Sequence, residues 1–333
     1  MRIAVLGSGS WGSALAKVVS DKGYDVRLWG RRPELAEAIR TTRENAAFLK
    51  GIRFSDTLSP TADLSEALDR ADLVLVAVPT HGLREVLARA LPSIPHGVPV
   101  VSATKGIEQG TLFFVDELLA DAVPWTRDTF VALSGPSFAR EVALGQPTVV
   151  VAASRDLKLA KIVQDAFWID DRFRVYLTDD VPGVEVGGAL KNVIAIAAGA
   201  SDGLGFGHNA RAALITRGLA EMAKVANRLG GNPMTLAGLA GMGDLVLTCT
   251  GELSRNRYVG VELGKGRKLD AILGEMRQVA EGVRTAKSAW DLSQRLGVPM
   301  PIVEQVYRAL YEDLAPIDAM HNLMTREAGH ELH

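Results

Sequence analysis

The chain has 333 residues, 47% hydrophobic and 23% charged, a balance typical of globular proteins and a length that suits two domains. Its 37 Lys and Arg against 39 Asp and Glu leave a formal charge of -2, so no global field draws in nucleic acid or an anionic membrane, and any bound anion must be held locally. The single cysteine, Cys249, excludes an internal disulfide, and the apolar run Ile3-Leu6, broken at once by glycine, is too short for a signal peptide; both point to a reducing cytoplasm.

From the N-terminus, β-rich apolar runs alternate with stretches of helical period. Expected strands are Arg2-Leu6, Asp25-Trp29, Leu73-Val78, Val98-Ala103, Phe130-Ser134, Thr148-Ala153 and Phe173-Leu177. Expected helices are Trp11-Lys22, Pro33-Thr42, Leu64-Ala71, Gly82-Ala90, Leu112-Leu119 and Asp156-Ala166. Alternation of this kind predicts an α/β domain with a mostly parallel, doubly wound sheet. After Asp180 the strand signal ends, and Val181-Pro182-Gly183 reads as a boundary, dividing the chain into residues 1–180 and an all-α part, 181–333. The helix that follows is apolar almost all round from Val186 to Ala198, so it should be buried on every side. The apolar stretch Ala189-Ala200 is interrupted by Lys191 and Asn192 and is shorter than the roughly 20 residues a bilayer requires, so no integral membrane segment is expected. A second helix is expected over His208-Leu229.

Gly7-Ser8-Gly9-Ser10-Trp11-Gly12 is a G-x-G-x-x-G directly after a strand and directly before a helix. In that setting Gly7 allows the tight turn, Gly9 admits a pyrophosphate to the backbone, and Gly12 lets helix and strand pack closely. The free N-H groups and positive dipole end of the helix then face the phosphates. At the end of the second strand, where an NAD-selective site usually carries an acid, stand Arg31 and Arg32. Guanidinium groups suit a 2′-phosphate, so NADP(H) is expected, with NAD(H) use left open by Glu34; the alternative is that both arginines are simply solvated.

Lys191 interrupts the apolar helix, with Gly187 and Gly188 one turn before it. A face stripped of bulk admits another object to the backbone, and burial would lower the lysine pKa toward the range of a general acid or base. The alternative is a lysine that reaches out to water. Lys105 and the turn Gly135-Pro136-Ser137 both follow strands at the carboxyl edge of the sheet, where open α/β sheets bind ligands, although a helix cap also accounts for Ser137. Ser254-Arg255-Asn256-Arg257 combines a helix-start serine, a forked cation and an amide, as a phosphate cradle would, while Asp244 is placed to pair with Lys191. Arg255 and Arg257 also fit an ordinary surface. The six histidines lack H-x-x-x-H or H-E-x-x-H spacing, and no metal site is expected.

Taken together, these motifs resemble the bacterial NAD(P)-dependent glycerol-3-phosphate dehydrogenases from end to end. The most specific block is Gly188-Ala189-Leu190-Lys191-Asn192-Val193-Ile194-Ala195, continuing through Gly199, Asp202-Gly203, Gly207 and Asn209. Lys105-Gly106, Gly135-Pro136-Ser137, Ser254-Arg255-Asn256 and Glu281-Gly282 follow in family order. The resemblance implies an N-terminal Rossmann domain, an α-helical C-terminal domain and a homodimer. It implies reversible hydride transfer between dihydroxyacetone phosphate and sn-glycerol 3-phosphate, for phospholipid synthesis. Lys191 is implied as the acid/base, and Lys105, Gly135, Ser137, Asp244, Ser254, Arg255 and Asn256 as substrate contacts. Ser10, Trp11, Arg31, Arg32, Lys105, Ala139, Arg255, Val279 and Glu281 are implied as cofactor contacts. Two alternatives remain: another two-domain dehydrogenase on the same plan, acting on 6-phosphogluconate, a 3-hydroxyacyl-CoA or ketopantoate, or an NADPH-binding sensor without turnover.

Overall fold

The computed structural model describes residues 1–276 and 279–327. Its first half alternates strand and helix: β1 (Arg2–Leu6), α1 (Ser10–Asp21), β2 (Asp25–Trp29), α2 (Pro33–Thr42), β3 (Leu58–Thr61), α3 (Leu64–Leu68), β4 (Leu73–Val76), α4 (Thr80–Ala90), β5 (Val100–Ser102), α5 (Val115–Ala122), β6 (Phe130–Ser134), α6 (Ala139–Ala143), β7 (Thr148–Ala153), α7 (Leu157–Phe167) and β8 (Phe173–Thr178). The remainder is helical: α8 (Val181–Gly203), α9 (His208–Arg228), α10 (Asp244–Thr250), α11 (Arg255–Gly264), α12 (Leu269–Glu275), α13 (Glu281–Leu296), α14 (Pro301–Tyr311) and α15 (Pro316–Met324).

The eight strands form one sheet in the order β3-β2-β1-β4-β5-β6-β7-β8, parallel throughout except between β6 and β7. The order reverses at β1, between the runs that lead to β3 and to β8, which creates the crevice where such sheets bind ligands. Separate apolar clusters cover the two faces, one joining α1 and α7 to the sheet and the other joining α3, α4 and α5. Burial on both faces explains why most strands are continuous runs of Val, Leu and Ala rather than alternating ones.

Three local expectations change. Strand β3 carries Pro60 and was not foreseen; a strand at the sheet margin tolerates a residue that cannot donate to the ladder. The helix expected at Leu112-Leu119 begins instead at Val115. There the Glu117 carboxylate accepts the Phe114 N-H at 3.0 Å, and Leu112 sits at φ +62° in the turn before it. Val181-Pro182-Gly183 is the first turn of α8 rather than a break, because proline fits the start of a helix and Asp180 accepts the Gly183 N-H at 3.0 Å.

Helix α8 is the axis of the helical part, packed by α9, α10, α11, α13 and α14. It is long and apolar enough to cross a membrane, yet 89% of its apolar window is buried within the protein, so it is a core helix. Its crossing with α11 is unusually close. A Cβ at Gly199 or Gly203 would strike the backbone of Arg257 or Val261, and one at Gly260 or Gly264 would strike the backbone of Ile196 or Ala200. Glycine on both helices lets the two backbones meet, and this contact sets where the start of α11 lies relative to Lys191.

Candidate active site

The glycine-rich turn lies between β1 and α1. Gly7 has φ +121°, and a Cβ there would sit 2.5 Å from the Ala77 carbonyl oxygen, so both the conformation and the space require glycine. Gly9 caps α1 without a side-chain partner and has open space above it, as a phosphate approaching the first-turn N-H groups needs. Gly12 lies against the Gly7 carbonyl, which keeps helix and turn in contact. The Trp11 indole N-H is buried and has no partner among the described residues, a donor that a bound dinucleotide could satisfy. Trp11 of α1 and Ala139 of α6 pack against the same apolar cluster, and the two helices are in contact.

Arg31 and Arg32 are exposed beyond β2, and the Arg32 guanidinium lies 5.2 Å from the centroid of the Phe48 ring. Ser10 Oγ donates to the Phe48 carbonyl at 2.8 Å, and buried Asn45 donates to the Ser8 carbonyl at 2.8 Å and to Ser13 Oγ at 2.9 Å. The loop carrying Asn45 and Phe48 therefore supports both the turn and the arginine. Sequence reasoning missed these two residues, since nothing in their local spacing ties them to a turn more than thirty residues earlier.

The reacting centre is a buried chain of charge. Lys191 Nζ donates to Asp244 Oδ1 at 2.7 Å and to Thr248 Oγ1 at 2.8 Å, while Lys105 Nζ donates to Asp244 Oδ2 at 2.6 Å and to the Gly135 carbonyl at 3.3 Å. Asp244 is 1% exposed and Lys191 8%, so Lys191 does not reach out to water. Burial, opposed by Asp244 and reinforced by Lys105, lowers the Lys191 pKa to about 8. Burial by itself would raise Asp244, but Lys105 and then Lys191 more than offset it and hold its carboxylate below its ordinary range. Each ammonium has three donors, and these bonds use two of them, leaving one on each lysine for a substrate oxygen.

The fold explains this convergence. A single π-helical turn, Leu239–Gly243, delivers Asp244 at the start of α10, with Thr248 one turn later. Gly187 leaves room for the Ala240 carbonyl, and Gly188 faces Ser134 Oγ and the Lys105 methylenes, so the thinned face of α8 admits both. Lys105 follows β5, and Thr104 Oγ1 donates to the Val78 carbonyl at 2.7 Å, beside the Ala77 backbone that Gly7 abuts. A continuous run of contacts thus joins the glycine-rich turn to Lys191.

The other expected residues fall around this chain. Gly135 has φ +135° and lies against Val150. Ser137 Oγ donates to the Gly135 carbonyl at 2.9 Å; it does not cap α6, whose cap position is Phe138. Ser254 caps α11 by accepting the Arg257 N-H at 3.2 Å. Asn256 Nδ2 donates to Asn192 Oδ1 at 2.8 Å, and Asn256 Oδ1 accepts the Gly282 N-H at 2.9 Å, tying α11 to α8 and α13. Arg257 pairs with Asp202 through both Nε and Nη2, at 3.0 and 2.7 Å, so its charge is taken inside the fold. Burial raises the Glu281 pKa to about 7 against the pull of Arg255, Arg284 and the Thr80 N-H, which places Glu281 where α11, α13 and the start of α4 meet. Val279 is 38% exposed just before α13. Among the described residues, no group of three or more His, Cys, Asp or Glu side chains is arranged to hold a metal ion.

Two family models cover the chain: the NAD-dependent glycerol-3-phosphate dehydrogenase N-terminus over residues 2–160 and its C-terminus over residues 180–321. A glycerol-3-phosphate dehydrogenase [NAD(P)+] of Citrifermentans bemidjiense is 55% identical over 98% of this chain and 97% of that protein. One of Myxococcus xanthus is also 55% identical, over 100% of this chain and 99% of its own length. The crystal structure of glycerol-3-phosphate dehydrogenase from Coxiella burnetii superposes with a TM-score of 0.93 at 40% identity, covering 98% of this chain and 99% of that one. The paired lysines on Asp244, the glycine-rich turn and these full-length matches agree: the chain belongs to the NAD-dependent glycerol-3-phosphate dehydrogenase family.

Proposed function

We propose that this protein interconverts dihydroxyacetone phosphate and sn-glycerol 3-phosphate with NADP(H) or NAD(H), and that Lys191 is its general acid/base. The supporting observation is the Lys191-Asp244-Lys105 chain, buried yet connected to the glycine-rich turn. When bound, the nicotinamide cofactor supplies the hydride that the ketone carbon accepts.

Negative charge then develops on the former carbonyl oxygen. The spare N-H of Lys191 donates its proton there, giving the secondary alcohol and leaving a neutral amine, and the Lys105 ammonium stabilises the same oxygen electrostatically. In the reverse direction neutral Lys191 takes the hydroxyl proton. Asp244 holds both amines at fixed positions and never needs to transfer a proton itself. Ser254, Arg255 and Asn256, at the start of α11, are the proposed anchor for the substrate phosphate, converting remote binding energy into orientation of the reacting carbon. Gly135 and Ser137 complete the substrate side. Gly7, Gly9, Ser10, Trp11, Gly12, Arg31, Arg32, Ala139, Val279 and Glu281 form the cofactor side. In this reading residues 1–180 hold most of the dinucleotide and contribute Lys105, residues 181–333 supply Lys191 and Asp244, and the whole is a cytoplasmic homodimer whose mass sedimentation would report.

Oxidation of NADPH by dihydroxyacetone phosphate, followed at 340 nm, is the direct test. Lys191→Ala should lower kcat by roughly 10²- to 10⁴-fold, the usual contribution of a positioned proton donor, with the cofactor KM little changed. Turnover near that of wild type would remove Lys191 from this role.

A further inference from the structure

Helix α8 carries a second ionisable side chain toward the sheet domain, six residues before Lys191: Glu185. Its Oε1 accepts the backbone N-H of Asp116, in the first turn of α5, at 3.1 Å. The groups that face it from the packed elements are Asp116 and Glu117 of α5; Arg155, after β7, is already committed to Asp116 Oδ2 at 2.7 Å. Glu185 also lines, with Lys105, Ser134 and Gly188, a small cavity of about 10 Å³, roughly the space one water molecule occupies. Ser134 Oγ is buried there without a partner among the described residues.

We propose that Glu185 is a positioning residue: it fastens the lysine-bearing helix α8 to the N-terminal turn of α5 and thereby sets where Lys191 meets Asp244 and Lys105. Rotation of α8 about its axis, or a slide along it, would carry Lys191 off Asp244, because Asp244 and Lys105 come from other elements. Five helices hold α8 on its helical-domain side, whereas at Gly187 and Gly188 it meets Ala240, Ser134 and Lys105 through backbone rather than through interlocking side chains of its own. The hydrogen bond from Glu185 adds a directional tie from α8 to the sheet domain, three residues before Gly188 and on the cavity side of the helix.

The fastening works through the neutral acid. Two carboxylates and the negative charge of Glu117 in one seam would repel. Burial first, then Asp116, push Glu185 well above the ordinary carboxyl range, which favours the neutral acid, while its Oε1 accepts the Asp116 N-H. A glutamine is neutral at every pH and its carbonyl can accept the same Asp116 N-H.

The inference rests on Lys191 acting as the acid/base, and the experiment keeps the two apart. Glu185→Gln and Glu185→Ala are compared with wild type and with Lys191→Ala in the full chain. The readouts are kcat and KM for NADPH and dihydroxyacetone phosphate, the pH dependence of kcat, and Tm at pH 7 and 9. Glu185→Gln is expected to keep kcat within about twofold at neutral pH, to leave the lysine-dependent alkaline limb in place, and to lose less Tm than wild type as pH rises. Glu185→Ala is expected to lower kcat at least tenfold, to leave the KM for NADPH unchanged, and to displace the alkaline limb as the Lys191 surroundings change. A role in stability alone would lower Tm without moving that limb. Glu185→Gln as impaired as Lys191→Ala, or Glu185→Ala with wild-type kcat and pH profile, overturns the proposal. If the alanine variant does not fold, the glutamine arm still decides. Normal turnover in Lys191→Ala would instead sink the acid/base assignment and leave the Tm comparison valid for Glu185.

Discussion

Lys191 holds a proton weakly for a lysine, and this has a direct consequence for rate against pH. Reduction of the ketone requires the ammonium form, so kcat in that direction should fall as pH rises through about 8. Oxidation of glycerol 3-phosphate requires the free amine, so its kcat should rise through the same value; profiles of both directions on one preparation check the mirror relation. Parallel profiles would mean that some other group is titrating. A second residue-level prediction concerns the cofactor. Replacing Arg31 and Arg32 together with Ala should raise the KM for NADPH by about 10- to 100-fold, the worth of lost charge-assisted hydrogen bonds, with a much smaller change for NADH. Equal effects on the two cofactors would show that the arginines do not read the 2′-phosphate. Because Arg32 also lies over Phe48, Phe48→Ala should reproduce part of the loss.

Among the elements, the crossing of α8 and α11 governs the site. Gly260 lies against the Ile196 carbonyl, and the same close approach brings Asn256, one turn earlier on α11, to Asn192, the neighbour of Lys191 on α8. Gly260→Ala should therefore cost about 1–3 kcal/mol of stability through overpacking, measurable by urea unfolding, and should raise the KM for dihydroxyacetone phosphate more than that for NADPH. An alanine variant with unchanged stability would mean the two helices can separate without penalty. The amphipathic and apolar periods of both helices are plain along the chain, but which glycines meet across the crossing is not. That pairing depends on a contact between segments about sixty residues apart.

For the molecule as a whole, buried carboxyl groups set the pH range of stability. Glu221 is 6% exposed and accepts the N-H groups of Ile302 and Val303 at the start of α14, yet burial raises its pKa to about 7, and Glu281 is raised to about 7 as well. A raised acid binds its proton more tightly in the folded state. Its contribution is therefore complete below the ordinary value of 4.5 and is lost as pH rises through about 7. Asp244 has the opposite sign: its folded pKa is lowered, so its contribution is present above the ordinary value of 3.8 and disappears as pH falls through the lower folded one. Tm is thus expected to peak on the acid side of neutrality and to decline toward pH 8. Glu221→Gln should flatten that decline, as calorimetry across pH would show; a variant as pH-sensitive as wild type would assign the decline to other groups.

Much of the architecture could be read from the chain because it rests on local rules. Unbroken apolar runs mark strands covered on both faces, G-x-G-x-x-G at a strand-to-helix junction marks a dinucleotide turn, and a helix apolar all round must lie in a core. Lys191 stood out for the same reason, as one charge on such a helix. Pairing across distance obeys no local rule: Asn45 and Phe48 support a turn far back along the chain within the sheet domain, while Asp244 bridging two lysines and Glu185 under α5 depend on how the two halves dock. Strand β3 escaped notice because only its place at the margin of the sheet makes Pro60 harmless. Periodicity and turn chemistry belong to neighbouring residues, whereas the energy of a buried charge depends on what the folded chain brings within about 3 Å of it.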